Sequence, residues 1–314
     1  MAGGRKSKPR IRNRRPLGLS TDNSPSKKNQ VPTFMNDGWF ISEPVASRLY
    51  QKSAIGKPIS DGIIVSDEEL MFCHWHRHIP LPEGWIDEKL ESNPDFVYQV
   101  VAYDTIRSSG DKLVRDRDSW LLWNRETHPK NDEPISEVRW FKSKDEFRIN
   151  SIIDWVENIR SDRNAEIAIV DEEMDVTMYR VSLVNPTGNL TPATRNSHPN
   201  LGVKHLSRTF YRSDEKNWLN NMDDEVSHLF SELNSRGLLV RPGFKYGCRW
   251  RVYSTPIEDD HAPWLMQMVE DVSTNWEGVC LSVRIAEGVN KNWVIAFKTT
   301  KWNFIQFRRH LPGR

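Results

Sequence analysis

The sequence predicts an α/β (α+β) chain: a small α+β N-terminal domain followed by two related mixed-sheet α/β units. Three observations carry this. Apolar residues alternate along the chain between helical spacing and short strand-like runs. The order helix end, glycine, strand, turn, strand occurs twice, in IRSSGDKLVRDRDSWLLW (106–123) and in LNSRGLLVRPGFKYGCRWRVY (233–253). That order reads as a diverged internal duplication, because the element sequence repeats while residue identity is low. Between the copies lies NPTGNLTPATRNSHPNLGVK (185–204), whose Asn, Thr, Pro and Gly content marks the clearest linker.

At 314 residues the chain is long enough for two or three domains with a sizeable core. Thirteen tryptophans and 37% hydrophobic residues argue against a wholly disordered chain. No window approaches the run of about 18 apolar residues that a membrane helix needs. The N-terminus is charged and lacks an apolar stretch, so it does not read as a secretory signal. Cys73, Cys248 and Cys280 form no CxxC pair, which excludes a four-cysteine zinc ribbon and fits a reducing, cytoplasmic setting. The formal net charge of +1 hides an asymmetry: residues 1–30 hold nine basic residues and one acidic residue, leaving +8 there and −7 elsewhere. Such a basic arm reads either as a disordered contact to RNA or DNA phosphates or as a solubility tail.

The expected organisation is a basic tail (1–33), an N-terminal α+β domain (34–90), a first α/β unit (91–185), the linker (186–204) and a second α/β unit (205–314). In the N-terminal domain, 44–56 reads as a helix stopped by Gly56 and 62–65 as a strand. Ser66 then caps a helix, with Glu69 completing a capping box, and Pro80 and Pro82 end it. The first unit reads as a helix over 95–110, strands at 119–123 and 137–141, a helix over 145–162, and strands at 165–171 and 176–184. The second reads as one helix near 213–236, strands at 238–242, 248–253 and 264–269, a helix over 275–289, and strands at 293–297 and 303–309.

Three segments carry the chemistry. They are Gly243-Phe-Lys-Tyr-Gly-Cys-Arg-Trp-Arg-Val-Tyr253, Asp260-His261 before an apolar strand, and Val283-Arg-Ile-Ala-Glu-Gly-Val-Asn-Lys291 before another. In order and spacing class they match a GxKYGxxFRxY strand, an acidic-His strand start and an RxAxxVxK helix end. Residues 241–297 therefore resemble the catalytic domain of tRNA-splicing endonucleases, the archaeal type in particular, whose fold is restriction-endonuclease-like. SRLYQKSAIGKP and GIIVSDEELMFC resemble that family's N-terminal domain, and AEIAIVDEEMDVTMYRV its last two strands. The resemblance covers most of 44–184 and 208–309.

Cleaving RNA without a metal needs a base for the 2′-hydroxyl, an acid for the departing 5′-oxygen and a cation beside the phosphorane. A Tyr and a His at adjoining strand ends, with a Lys at a helix end, can fill these roles. Singly, each has an ordinary reading: packing, a solvated loop residue, a favourable helix-dipole charge. The resemblance implies that Tyr253 is the general base, His261 the general acid and Lys291 the stabilising cation, with 2′,3′-cyclic phosphate and 5′-hydroxyl products. It also implies that Arg284 stacks on a flipped base, with Arg308 or Trp302 as the second stacking residue.

In the first unit Trp123 falls at the Tyr253 position, Pro134 or a neighbour at that of His261, and Arg163 at that of Lys291, so this half is expected to be inert. Its Asp171, Glu172, Glu173 and Asp175 form an acidic loop, which the resemblance implies is an assembly contact, against the plain reading of a polar hairpin turn. Cys73-His-Trp-His-Arg-His78 invites a metal reading through His74 and His78, but a partly exposed helix end is the simpler expectation. The expected partners are intron-containing precursor tRNA and a second copy of the chain in a homodimer, with no cofactor, metal or membrane. Two alternatives remain open: a non-catalytic tRNA-binding subunit, and a metal-dependent nuclease built on Glu258, Asp259 and Asp260.

Overall fold

In the computed structural model the described residues are 30–35 and 38–311; the basic tail expected over 1–33 lies almost wholly outside them. The N-terminal part contains β1 (Thr33–Met35), β2 (Gly38–Ser42), α1 (Val45–Ser53), β3 (Lys57–Ile59), β4 (Gly62–Val65), α2 (Asp67–Arg77) and α3 (Trp85–Ser92). Its strands form a separate sheet in the order β1-β2-β4-β3. The capping box on α2 is present: Ser66 Oγ accepts the Glu69 amide, and Glu69 Oε2 accepts the Ser66 amide at 2.9 Å. The other Glu69 oxygen accepts the Gly56 amide at 2.9 Å, so one carboxyl ties the start of α2 to the turn after α1.

The chain continues through α4 (Phe96–Ser108), β5 (Lys112–Asp116), β6 (Ser119–Trp123), β7 (Ser136–Lys142), α5 (Ile149–Asn158), β8 (Asn164–Val170) and β9 (Val176–Val184). A small hairpin, β10 (Val203–His205) and β11 (Arg208–Phe210), precedes α6 (Ser213–Leu219) and α7 (Glu225–Ser235). Then come β12 (Leu239–Pro242), β13 (Trp250–Tyr253), β14 (Trp264–Met268), α8 (Trp276–Gly288), β15 (Asn292–Lys298) and β16 (Trp302–His310).

One sheet of ten strands, in the order β12-β13-β14-β15-β16-β9-β8-β7-β6-β5, runs through both α/β units. Each half has the same pairing: antiparallel, antiparallel, parallel, then antiparallel. The parallel pairs β7–β8 and β14–β15 are bridged by α5 and α8, because a parallel connection needs a crossover. The halves meet where β9 pairs antiparallel with β16, from Val184↔Phe304 to Met178↔His310.

Strand alternation sorts the core into two layers. On one face α5 and α8 bury Ile152, Trp155, Trp276 and Val283 against Ile167, Tyr179, Ile295 and Phe307. On the other, the N-terminal domain and α4 cover Ala168, Val170 and Met178, while α7 covers Val294, Ala296 and Phe304.

Beyond added short elements such as β1, β3, α3, β10 and β11, two features differ from the sequence reading. The single helix expected over 213–236 is two helices: Asn221 adopts φ 56°, and Asp224 caps α7 by accepting the Ser227 amide at 2.8 Å. The segment 185–202 is laid along the second unit. The Gly188 amide donates to Arg236 O, that of Asn189 to Ser254 O and that of Leu190 to Gly237 O, at 2.9–3.1 Å.

Burial pushes the Glu69 carboxyl up from 4.5 to about 7, against the lowering effect of its two backbone amides. The folded state therefore holds a proton that the unfolded chain has already released between about pH 4.5 and 7. Unfolding free energy should fall as pH rises through this window, by up to about 3 kcal/mol, and level off above it. Urea titrations at intervals from pH 4.5 to 8 should show this component of the slope, and Glu69→Gln should remove it.

Candidate active site

Tyr253 closes β13 and is 6% exposed. Its register partner on β12 is Leu239. On the other side Val252 pairs with Trp264, and Trp264 pairs with Asn292, so residues 253, 263 and 291 lie one step beyond these pairs in a common row. Ala262 is the pivot. Its side chain packs with Tyr253 and Leu239, and its carbonyl accepts a 2.7 Å hydrogen bond from Lys291 Nζ. His261, immediately before it, is exposed, and its amide donates to Asp260 Oδ1 at 2.7 Å. Tyr253 and Lys291, from separate segments, thus both meet Ala262 at this strand end, and His261 lies in the loop directly before it.

The end of α8 sets Lys291. The Lys291 amide donates back to Ala286 O at 2.9 Å, and Asn292 N donates to Pro263 O at 2.9 Å as β15 begins. Partial burial lowers the Lys291 ammonium, Arg251 lowers it further, and Asp260 opposes both. The Arg251 guanidinium lies 5.9 Å from the Tyr253 ring centroid while its Nε donates to Pro242 O at 2.9 Å. Arg241, behind them, is lowered by burial and by Arg212, and bonds Glu215 at 3.2 Å and Asn200 O at 2.8 Å. Tyr253 therefore faces a cluster of cations whose nearest buried counter-charge is Glu215. Arg251 was not singled out in the sequence, although its position two residues before Tyr253 puts it on the same strand face.

Arg284 is exposed on α8 and lines a cleft of about 300 Å³ with Thr177, Tyr179, Val283, Glu287 and Arg309. Arg309, which sequence reasoning passed over, is the arginine of β16 on this side: its amide donates to Glu287 Oε1 at 2.6 Å. Neither expected companion of Arg284 takes that position. Arg308 alternates to the opposite face of the strand, opposite Arg180 in register. Trp302 is 7% exposed and packed among Phe304, Val294 and Ala296, so its ring offers no free face to a base.

The matching row of the first unit holds other chemistry. Trp123 pairs with Lys112 as Tyr253 does with Leu239, and its indole donates to Asp132 O at 2.8 Å. Arg163 precedes β8 as Lys291 precedes β15, and reaches Glu133 at 3.8 Å. In the acidic loop, Asp171 Oδ1 accepts the amides of Glu173 and Asp175 at 2.9 and 2.8 Å, and Glu172 lies 3.7 Å from Lys144. Asp171 therefore organises the turn, while Glu172 and Glu173 are exposed. At the end of α2, His74 bonds Ile79 O and His76 bonds Asp104, while the Cys73 thiol is buried and raised by desolvation. Among the described residues no group of three or more His, Cys, Asp or Glu is placed to hold a metal ion. No helix among them is long and apolar enough to cross a membrane.

The half built from β12–β16 is thus a mixed-sheet α/β unit with a polar cluster at adjoining strand ends. Residues 227–304 match the family "tRNA intron endonuclease, catalytic C-terminal domain". The chain is similar to the tRNA-splicing endonuclease of Thermoplasma volcanium, at 28% identity over 142 residues, 40% of this chain and 48% of the relative. It is also similar to that of Methanopyrus kandleri, at 35% over 69 residues, 22% and 38%, and to that of Thermococcus onnurineus, at 35% over 69 residues, 22% and 40%. Each match spans less than half of the relative's length.

Because Trp302 belongs to the core, Trp302→Ala should cost about 3–5 kcal/mol of stability. Chemical denaturation should report that loss, while filter binding should find the affinity of the folded variant for structured RNA essentially unchanged.

Proposed function

We infer that this chain is an endoribonuclease that cuts precursor tRNA at intron boundaries, at bulge–helix–bulge elements, without a metal ion. The observation that supports this most is the row in which Ala262 touches Tyr253 and accepts Lys291, with His261 adjoining. Tyr253 takes the proton from the 2′-hydroxyl, His261 protonates the leaving 5′-oxygen, and Lys291 stabilises the charge gathering on the phosphate. The products are a 2′,3′-cyclic phosphate and a 5′-hydroxyl. A phenol is a poor base near neutrality unless cations favour its ionised form. The Arg251 guanidinium lies 5.9 Å from the Tyr253 ring centroid, with Arg241 paired to it across β12 and β13. Arg284 contacts an extruded base by cation–π stacking, with Arg309 as its neighbour in the cleft.

The first α/β unit has no phenol or imidazole at the matching row, so it is assigned to assembly and RNA support. A homodimer gives two catalytic units to one substrate, and the exposed Glu172 and Glu173 contact a basic surface on the second copy. Charge pairing of this kind fixes partner and register.

His261→Ala should leave binding to precursor tRNA nearly intact while single-turnover cleavage falls by roughly 10²–10⁴-fold. Wild-type cleavage should persist in EDTA and give cyclic-phosphate ends. A near-normal rate in the variant, or dependence on a divalent ion, would reject the assignment.

The double substitution Glu172→Lys and Glu173→Lys should weaken the dimer in a salt-dependent way, since exposed charges are screened over about 8–10 Å at physiological ionic strength. Sedimentation at low and high salt measures this, and a variant still dimeric at micromolar concentration and low salt would rule out the assembly contact.

A further inference from the structure

The segment joining the two α/β units does more than span them. After β9 it crosses the end of the site strand, and residues 188–190 are fixed there by three backbone hydrogen bonds, to Arg236, Ser254 and Gly237. Ser254 directly follows Tyr253. Leu190 packs against the small apolar cluster formed by Tyr253, Leu239 and Ala262, so the joining segment contributes a side chain to the cluster that holds the tyrosine. Further along, Ala193 is held by two 2.8 Å hydrogen bonds with the Asn234 amide group, and Leu201 is buried in the core under α7.

The crossing depends on two glycines meeting backbone to backbone. A Cβ at Gly188 would lie 2.2 Å from Gly237 O and 2.8 Å from Ser254 O. A Cβ at Gly237, where φ is +71°, would lie 2.7 Å from Gly188 O and 3.0 Å from Leu190 O. Gly237 therefore serves both the end of α7 and the seat of the crossing segment.

We propose that the 188–190 segment positions the catalytic tyrosine, with Leu190 as a positioning residue whose side chain holds the Tyr253 ring against Leu239 and Ala262. The proposal rests on the role given to Tyr253 under Proposed function. Ala262 also accepts Lys291, so a ring held against Ala262 is held in register with the amine. Without Leu190 the ring gains freedom on its outer side, and the phenol leaves the geometry in which base, cation and imidazole act on one phosphate. Small misplacements of this kind carry large rate costs. Because the segment continues directly from β9, this also ties the geometry of the site to the joint between the half-sheets.

The test uses the full-length chain, with precursor tRNA as substrate and 3-fluorotyrosine incorporated at position 253. In Leu190→Ala the single-turnover rate at saturating enzyme should fall roughly 10–100-fold, with half-saturation within about two-fold of wild type. The fluorine resonance should shift and broaden. Leu190→Met should restore both, and Leu190→Val gives a milder version should the alanine variant not fold. A Leu190→Ala or Leu190→Val protein with wild-type rate, or with a loss confined to half-saturation, overturns the proposal. Should the wild-type protein not cut precursor tRNA, the functional reading itself fails. The fluorine spectrum then decides the structural part alone: an unmoved resonance overturns it, and a shifted, broadened one supports it.

Discussion

The antiparallel pairing of β9 with β16 is the constraint on which the rest of the structure depends. Each half-sheet alone would end in an unpaired strand rich in apolar residues, a template for uncontrolled association. Their pairing, seven residues long, removes both edges at once and makes one sheet of two five-stranded halves. It brings Tyr179 and Val181 alongside Ile305 and Phe307, so α5 and α8 share one continuous apolar layer. Other features follow from that joint. Arg309 meets Arg284 and Tyr179 in one cleft only because β16 lies against β9. The segment leaving β9 starts where it can reach the end of β13.

The site gathers positive charge around a nearly buried phenol, and the fold balances that charge unevenly. Arg241 is paired with fully buried Glu215, which also reaches Arg212 at 3.1 Å. Arg251 is anchored through a carbonyl, and Lys291 likewise donates to a carbonyl. A carbonyl fixes an amine or guanidinium in space without neutralising it, so Arg251 and Lys291 keep charge available for an anion. Preorganised charge of this kind, held before the substrate arrives, is the efficient way to stabilise a developing anion.

Much of this was legible in the sequence, for identifiable reasons. Ser66 and Glu69 announced a helix start because the capping box is a local hydrogen-bond pattern. Gly110 and Gly237 each stand two residues before a strand that pairs with the Trp123 or Tyr253 end, so the shared element order was visible as spacing. Features set by parity or by tertiary contact were hidden. Strand side chains alternate, so a one-residue choice between Arg308 and Arg309 reverses the face. Trp302 stands at the start of the last strand, where the resemblance implies a stacking residue, and its burial is set by tertiary packing. The short strands β1, β3, β10 and β11 are exposed throughout and left no hydrophobic period to read. The segment 185–204 read as a linker because its composition is that of a loop. Composition does not reveal where backbone amides find their acceptors, and a buried backbone must find them somewhere.

The two halves share one strand order but hold an open polar cluster in the second and a closed one in the first. At the row that carries Leu239, Tyr253 and Lys291, the first unit places Lys112, Trp123 and Arg163. Lys112 Nζ donates to Arg125 O at 2.7 Å and Thr127 O at 2.6 Å, and burial lowers its ammonium. That amine ties down the loop after β6 from within. In the second unit Leu239 leaves the corresponding space apolar, and it is filled by Tyr253, Ala262 and Leu190. Trp123 is an indole whose one donor is already bonded to Asp132 O, so it has no proton to exchange near neutrality. Arg163 faces Glu133, a carboxylate that partly cancels its charge, whereas Lys291 faces the uncharged Ala262 carbonyl. Trp123 and Arg163 stand where the second unit has a phenol and an amine, and Lys112 where it has an apolar side chain; each of the three fastens its own loop. The first half keeps the strand order and the joint while its chemistry is spent on structure.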